Sequence, residues 1–130
     1  MLSSKTVMFA GTCSARSELT LVSHRIMRPF QTKTFTIRFP TGTNNLMSLR
    51  FYYAGDPEAP ASGRPSGISL LQDYGQVDYV RGEGIQITLD HVVADVHAGG
   101  YLKVYANNTD FYDHAVDVDI EIQVEDDGEI

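Results

Sequence analysis

The most regular pattern in the chain is the alternation of apolar and polar residues in A-V-D-V-D-I-E-I-Q-V, residues 115–124. The apolar set lies on one parity and comprises Val116, Val118, Ile120, Ile122 and Val124. Successive side chains of a β-strand point to opposite faces, so a period of two gives one apolar face and one acidic face. A helix would scatter these β-branched residues around its circumference. The segment is therefore predicted to be a long strand with one face in a core.

Two earlier segments repeat this alternation. In residues 33–39 and 47–53 the apolar positions are Phe35, Ile37 and Phe39, then Met47, Leu49, Phe51 and Tyr53. Between them lies P-T-G-T-N-N, residues 40–45, whose glycine and asparagines favour a turn. The sequence therefore predicts a hairpin of two strands joined by this turn.

Shorter apolar runs fill the rest of the chain and are separated by Gly-, Pro- and Asn-containing turns. They lie at residues 19–28, 68–71, 77–80, 85–89 and 101–106. No helical period extends beyond one turn, and about eight short strands with frequent turn signals are typical of a sandwich. We predict an all-β fold, an antiparallel β-sandwich in a jelly-roll arrangement, with an extended N-terminal arm.

The length of 130 residues predicts one domain. Residues 1–17, M-L-S-S-K-T-V-M-F-A-G-T-C-S-A-R-S, are rich in serine and lack the alternation of a core strand. Their apolar stretch is too short for the core of a secretory signal, so no signal peptide is predicted. We therefore divide the chain into an arm, residues 1–17, and one β-sandwich domain, residues 18–130. Either a partner subunit holds the arm in place, or it adds a strand to the protein's own sheet.

Residues 54–67, A-G-D-P-E-A-P-A-S-G-R-P-S-G, contain three prolines and three glycines and cannot form a regular element. A loop of this length in a compact domain is usually functional or flexible. The simpler alternative is a surface crossover between the two sheets.

Charge is distributed unevenly along the acidic chain, whose net charge is −7. Residues 1–55 hold seven of the ten basic residues but only one of the seventeen acids. Either basic and acidic strands pair across the sheet, or a basic surface docks on an acidic one in another copy or a larger assembly. The basic residues are dispersed and the chain is acidic, so no nucleic-acid partner is predicted. No apolar run approaches the roughly 18 residues of a membrane helix, so no membrane partner is predicted.

Two groups of side chains are candidates for metal binding or catalysis. His91, Asp95 and His97 share one face of a strand, but the two histidines are six residues apart, about 20 Å in an extended strand. The two histidines cannot share one metal ion unless the strand bends, so the candidate pair of ligands is Asp95 with His97. A polar outer face is the alternative. Asp117, Asp119 and Glu121 form a carboxylate ladder that lacks the converging loops of a calcium site and the cleft of a glycosidase.

We expect the carboxylate ladder to pair with Arg38 or Arg50 on an adjacent strand instead. The single cysteine, Cys13, has no histidine near it in sequence and is not predicted to be catalytic. The sequence thus predicts a protein that is not an enzyme, with no catalytic residues, no cofactor and no bound metal.

Exposed tyrosines and cations are the candidates for partner binding. Tyr101 and Tyr105 share a strand face with Lys103, and tyrosine offers flat apolar area with a polar tip. Lys5 and Arg16 are the cations of the arm. Partner binding is therefore predicted for all five residues, although half-buried tyrosines are the alternative.

The arm, M-L-S-S-K-T-V-M-F-A-G-T-C-S-A-R-S, followed by a short jelly-roll pattern, resembles the small decoration or cement proteins of tailed-phage capsids. That resemblance implies a non-enzymatic structural protein that forms an oligomer, commonly a trimer, on a capsid shell. It implies that Lys5 and Arg16 contact the shell protein. The expected location is the virion if the source is viral, and the cytoplasm otherwise.

A carbohydrate-binding β-sandwich module is the alternative function, because such modules expose aromatic residues on one face. The absence of tryptophan and of a signal peptide counts against it. The two functions differ in whether Tyr101 and Tyr105 form an open platform or lie in a subunit contact.

Overall fold

The structure is a computed structural model and describes residues 2–60, 63–71, 79–90, 95–96 and 100–125. Its described part contains ten β-strands and no helix. The strands are β1 (Leu2–Cys13), β2 (Ser17–Val22), β3 (Phe30–Arg38), β4 (Met47–Ala54), β5 (Ile68–Ser69), β6 (Val80–Arg81), β7 (Gln86–Asp90), β8 (Asp95–Val96), β9 (Tyr101–Asn108) and β10 (His114–Glu125). No helix in these ranges has the length and apolarity needed to cross a membrane.

The strands form two five-stranded antiparallel sheets packed face to face. The first sheet has the order β1-β10-β3-β7, with β8 also pairing with β3, and the second has the order β2-β9-β4-β5, with β6 also pairing with β4. This confirms the predicted all-β sandwich. The strand order is compatible with a jelly roll, and that finer assignment stays a prediction.

The predicted long strand is β10, which lies between β1 and β3. Its apolar face is buried along the whole alternating segment, as the pattern predicted. From the first sheet Phe35 reaches across the core to Phe51 of the second, with ring centroids 5.1 Å apart in an edge-to-face contact. The period of two therefore places both inner faces against one core, which holds the sheets together by apolar burial.

The predicted hairpin of residues 33–39 and 47–53 is wrong. β3 pairs with β10 and β7 in the first sheet, whereas β4 pairs with β9 in the second. Residues 40–45 carry the chain from one sheet to the other, and the Glu83 carboxylate accepts hydrogen bonds from their Gly42 and Asn44 amides at 2.9 and 2.8 Å. Alternation determines which face of a strand is buried but not its neighbours, and turn residues serve both connections equally well.

Residues 2–13, which we assigned to the arm, form β1 and pair with β10 without a break from Leu2 opposite Glu125 to Cys13 opposite His114. Phe9 and Cys13 are buried in the core. Of the two alternatives for this segment, the structure has the strand added to the chain's own sheet. The division of the chain at residue 17 stays a prediction.

Candidate interaction surfaces

The outer face of the second sheet lies beneath residues 55–67, the 55–67 loop, of which 61–62 are outside the described residues. Lys103 of β9 points into this layer and is 0% exposed. Its ammonium donates to Asp56 Oδ1 at 3.0 Å and to the Ser66 carbonyl and hydroxyl oxygens at 3.3 and 3.2 Å. All three acceptors belong to the loop, so the buried charge is satisfied by the segment that covers it.

Tyr105, two residues further along β9, is 3% exposed and donates a hydrogen bond to the Glu18 carboxylate of β2. The same carboxylate accepts from the Gly63 amide of the loop at 2.9 Å. Burial, and then the Glu18 hydrogen bond, raise the pKa of Tyr105 to about 12. The Tyr105 hydroxyl, followed by the Gly63 amide, holds the pKa of Glu18 below its usual range. Glu18 therefore attaches the loop to the edge of the sheet.

This layer changes the setting of three predicted partner-binding residues. Tyr101 is half-buried, whereas Lys103 and Tyr105 are covered. Among the described residues, Tyr101 and Tyr105 do not form the open platform that a carbohydrate module would need. Partner binding by Lys103 and Tyr105 stays a prediction, and it would require displacement of the 55–67 loop.

The carboxylate ladder lies on the outer face of the first sheet. The Arg38 guanidinium of β3 donates to Asp117 at 3.1 Å and to Asp119 at 2.9 Å. This confirms the expected pairing with Arg38. Arg50 lies on the second sheet instead, with its guanidinium 5.1 Å from the centre of the Tyr79 ring.

A polar cluster closes the end of the sandwich where β9 leads into β10. His114 Nε2 and Asp110 Oδ2 are 2.7 Å apart and both residues are buried. The hydrogen bond with His114 lowers the pKa of the Asp110 carboxyl. Burial acts in the opposite direction and offsets only part of this effect. The Asn108 side-chain amide donates to the carbonyl oxygens of Cys13, Ser14 and Tyr112. These bonds connect the turn after β1 with the turn before β10.

Cys13 lies opposite His114 where β1 pairs with β10. The sequence did not indicate this proximity, because the two residues are far apart along the chain. The Cys13 thiol is nevertheless fully buried and donates to the Ser17 carbonyl oxygen at 3.4 Å. Burial is the main cause that raises the pKa of the thiol. A buried, protonated thiol is a packing group rather than a nucleophile.

A groove of about 540 Å³ opens between β1 and residues 22–28. We call it the basic groove. Its lining includes the apolar side chains of Val7, Ile26, Ile122 and Val124. Its charged or titratable lining residues are Lys5, His24, Arg25 and Arg28. The groove combines an apolar floor with positive charge on a chain that is acidic overall.

The structure separates Lys5 and Arg16, the two cations of the predicted arm. Lys5 lines the basic groove, whereas Arg16 follows the other end of β1, with its guanidinium 4.8 Å from the centre of the exposed Phe111 ring. His24 and Arg25 also line the groove and are not among the residues predicted from the sequence to bind a partner. The sequence feature that could have indicated them is H-R-I-M-R-P, residues 24–29, in which basic and apolar residues are mixed before a proline.

The possible metal ligands His91 and His97, and the side chain of Asp95, lie outside the described residues. The described ranges contain no cluster of three or more histidine, cysteine or carboxylate side chains that could hold a metal ion.

No protein-family model and no curated protein matches the chain. Among solved structures it is similar to a Bacillus endospore appendage that forms disulfide-linked pili, with a TM-score of 0.50 and 11% identity over 95% of this chain and 87% of that one. The cyanophage Pam1 capsid gives a TM-score of 0.43 and 13% identity over 95% and 85% of the two chains.

A third similar structure, from infectious bursal disease virus strain Gt, gives a TM-score of 0.44 and 7% identity. It covers 98% of this chain but only 33% of the viral chain. The first of these structures is described as forming pili and the second as a capsid, and none of the three is described as a decoration protein. At 11% identity, the similarity to the appendage protein shows the fold alone.

Proposed function

We propose that the chain is a non-enzymatic structural subunit that assembles with copies of itself and with other proteins. The observation that carries this proposal is the basic groove, where exposed cations surround a floor of buried and half-buried apolar side chains on an acidic molecule. An apolar centre with a charged rim is the usual composition of a protein docking surface. The cations would steer an acidic partner, and the apolar floor would add affinity once water is expelled.

The fold supports the same function. The endospore appendage protein, similar over most of both chains, is described as forming pili, which are assemblies of protein subunits. That description also mentions disulfide linkage, whereas the single cysteine of this chain, Cys13, is buried in the core. We therefore propose assembly through non-covalent contacts.

In its finer form the proposal is a decoration or cement protein of a tailed-phage capsid, located on the virion. Lys5 and Arg16 would contact the shell protein, and copies of the chain would associate, with a trimer as the expected oligomer. The positions of these two cations near opposite ends of β1 would let one strand span two contacts on a shell.

The first test is the solution mass of the purified chain by light scattering across a range of protein and salt concentrations. We expect a mass that rises above the 14.4 kDa monomer with concentration and falls when salt is added. Arg25→Glu should weaken association at least about tenfold, because it reverses a charge in the groove. Lys33→Glu is the matched control, an exposed charge reversal on β3 outside the groove. A monomer under every condition would contradict self-assembly.

A further inference from the structure

β1 is the terminal strand of the first sheet and pairs on one side only, with β10. In an antiparallel ladder the backbone groups of alternate residues point to opposite sides, so a terminal strand presents a row of N–H and C=O groups without ladder partners. Among the described residues, no second strand pairs with β1. The strand is twelve residues long, Leu2–Cys13.

The other terminal strands in the described part of the chain are much shorter. β2 has six residues and includes Glu18, β7 has five and ends in Asp90, and β5, β6 and β8 have two each. Folded proteins protect free edges with short strands, charges, proline or bulges. β1 has no proline, its one charged residue is Lys5, and its register with β10 is unbroken. Of these protecting features β1 has only the single charge of Lys5, and it lacks proline, a bulge and short length.

We propose that β1 pairs with β1 of a second copy, antiparallel across a two-fold axis at Met8, so that the two first sheets become continuous. This inference rests on the proposed assembly function and names one contact through which it operates. A two-fold contact is self-complementary and closes after two copies. A trimer would need a second surface, for which the basic groove is available.

The alternation of β1 restricts the register. Facing residues of two antiparallel strands must point to the same side of the sheet, so an axis at Met8 places Met8 opposite itself and Thr6 opposite Ala10. Met8 is 76% exposed on the outer face, and the pairing would bring two such side chains into contact and shield part of each from water. Lys5 would face Gly11 of the other copy, so no two cations would be directly opposite.

Charge at the two ends of β1 is also complementary in this register. Antiparallel pairing brings the Lys5 end of each copy beside the Cys13 end of the other. Arg25 lies with Lys5 in the basic groove. The Asp113 carboxylate lies beside the residues that follow β1, where it accepts a hydrogen bond from the Ala15 amide at 2.8 Å, although Arg16 also follows that end. The cations at one end of β1 would therefore approach this carboxylate at the other.

Substitutions of opposite charge at Met8, the residue on the proposed two-fold axis, test the register directly. Met8→Lys and Met8→Glu should each remain monomeric at concentrations where the unmodified chain is dimeric, because identical charges would face each other. An equimolar mixture of the two variants should recover a dimer mass by light scattering or sedimentation. We expect at least about a tenfold weakening for each single variant and recovery of most of it in the mixture.

Ile68→Lys and Ile68→Glu are the matched controls, since Ile68 is 69% exposed on the short terminal strand β5. They should leave the mass unchanged. Met8→Glu stands beside Asp119 of β10, so thermal melting of each variant must show a folded chain before masses are compared. If both Met8 variants keep the oligomer mass of the unmodified chain, or if their mixture stays monomeric, β1 pairing is overturned while self-assembly stands. An unmodified chain that is always monomeric would overturn both proposals.

Discussion

The outer faces of the two sheets hold ion pairs in different environments. On the first sheet, Arg38 pairs with Asp117 and Asp119 in contact with solvent. On the second sheet, the Lys103 ammonium pairs with Asp56 while its whole side chain is covered. Both cations occupy the outward-facing parity of an alternating strand. The difference arises from the 55–67 loop, which lies over one face only.

Pointing away from the core and reaching water are two different properties of a side chain, and sequence periodicity predicts only the first. A period of two specifies which side chains leave the core, and in β3 and β9 it places Arg38 and Lys103 correctly. Whether those side chains reach water depends on a segment distant in sequence, since Asp56 is 47 residues from Lys103. Among the described residues, the face around Arg38 is therefore in contact with solvent, whereas the face around Lys103 is part of the protein's interior.

The largest expected effect concerns the two faces of β1 itself. Phe9 is 4% exposed in the core, and Met8 beside it is 76% exposed. Phe9→Ala should lower the free energy of unfolding of the monomer by about 3–5 kcal/mol, because it leaves a cavity. Met8→Ala should change it by less than about 0.5 kcal/mol. Chemical denaturation at low protein concentration measures both, and equal small effects would show that β1 is not integral to the core.

The second prediction concerns the covered ion pair. Asp56→Asn should destabilise the chain more than Lys103→Met does, because the first leaves a buried ammonium without its carboxylate and the second removes the charge while keeping the stem. Urea denaturation ranks the two variants, and limited proteolysis reports cleavage within the 55–67 loop. A reversed ranking would mean that the ammonium has another counter-charge and that the loop does not depend on Asp56.

The third prediction is that acid loosens the covered face. Lys103, then the Glu58 amide and Ser66, hold the pKa of Asp56 below its usual range, and the pKa of Glu18 is also lowered. A depressed carboxyl pKa stabilises the fold fully above the unfolded value of about 4 and loses that contribution as pH falls through the folded value. Attachment of the loop should therefore be constant above about pH 5 and weaken below about pH 4.

Hydrogen exchange at the Gly63 amide, which donates to Glu18, measures this loosening once intrinsic exchange rates are divided out. Glu18→Gln is the control, because its side chain does not ionise and its Gly63 protection should lose most of its dependence on pH. Protection that falls equally in both proteins would assign the loosening to Asp56 or to general unfolding.

The sequence predicted a strand and its buried face where the alternation within that one segment was regular. The five β-branched residues of residues 115–124 leave little choice but a strand with one buried face, and β10 has that form. β1 was harder, because Lys5 and Gly11 interrupt its apolar parity. Gly11 lies where the Leu19 and Leu21 side chains pack closely, so the gap in the pattern is filled from another strand.

The candidate interaction surfaces were less predictable, because they too are completed by residues that are distant in sequence. Lys5 was selected as a cation, but its groove is completed by residues 22–28 and by β10, elements that only the fold brings together. Tyr105 was selected as exposed, and a carboxylate from β2 and a distant loop cover it. Residue type and parity gave the correct strand faces, and non-local packing decided which of them stayed accessible.

The smallest effect should come from the open ion pairs. Arg38→Ala removes two exposed contacts, and long side chains held in one geometry at a surface gain little, because water already solvates each charge well. A double-mutant cycle of Arg38→Ala with Asp119→Ala should give a coupling free energy that disappears near 1 M salt, where the screening length is about 3 Å. The same cycle for Lys103→Met with Asp56→Asn should give a larger coupling that persists in salt, since the loop excludes water from the ammonium. Equal couplings with equal salt dependence would mean that the 55–67 loop does not shield the second sheet in solution, and the distinction between an open and a covered face would fail.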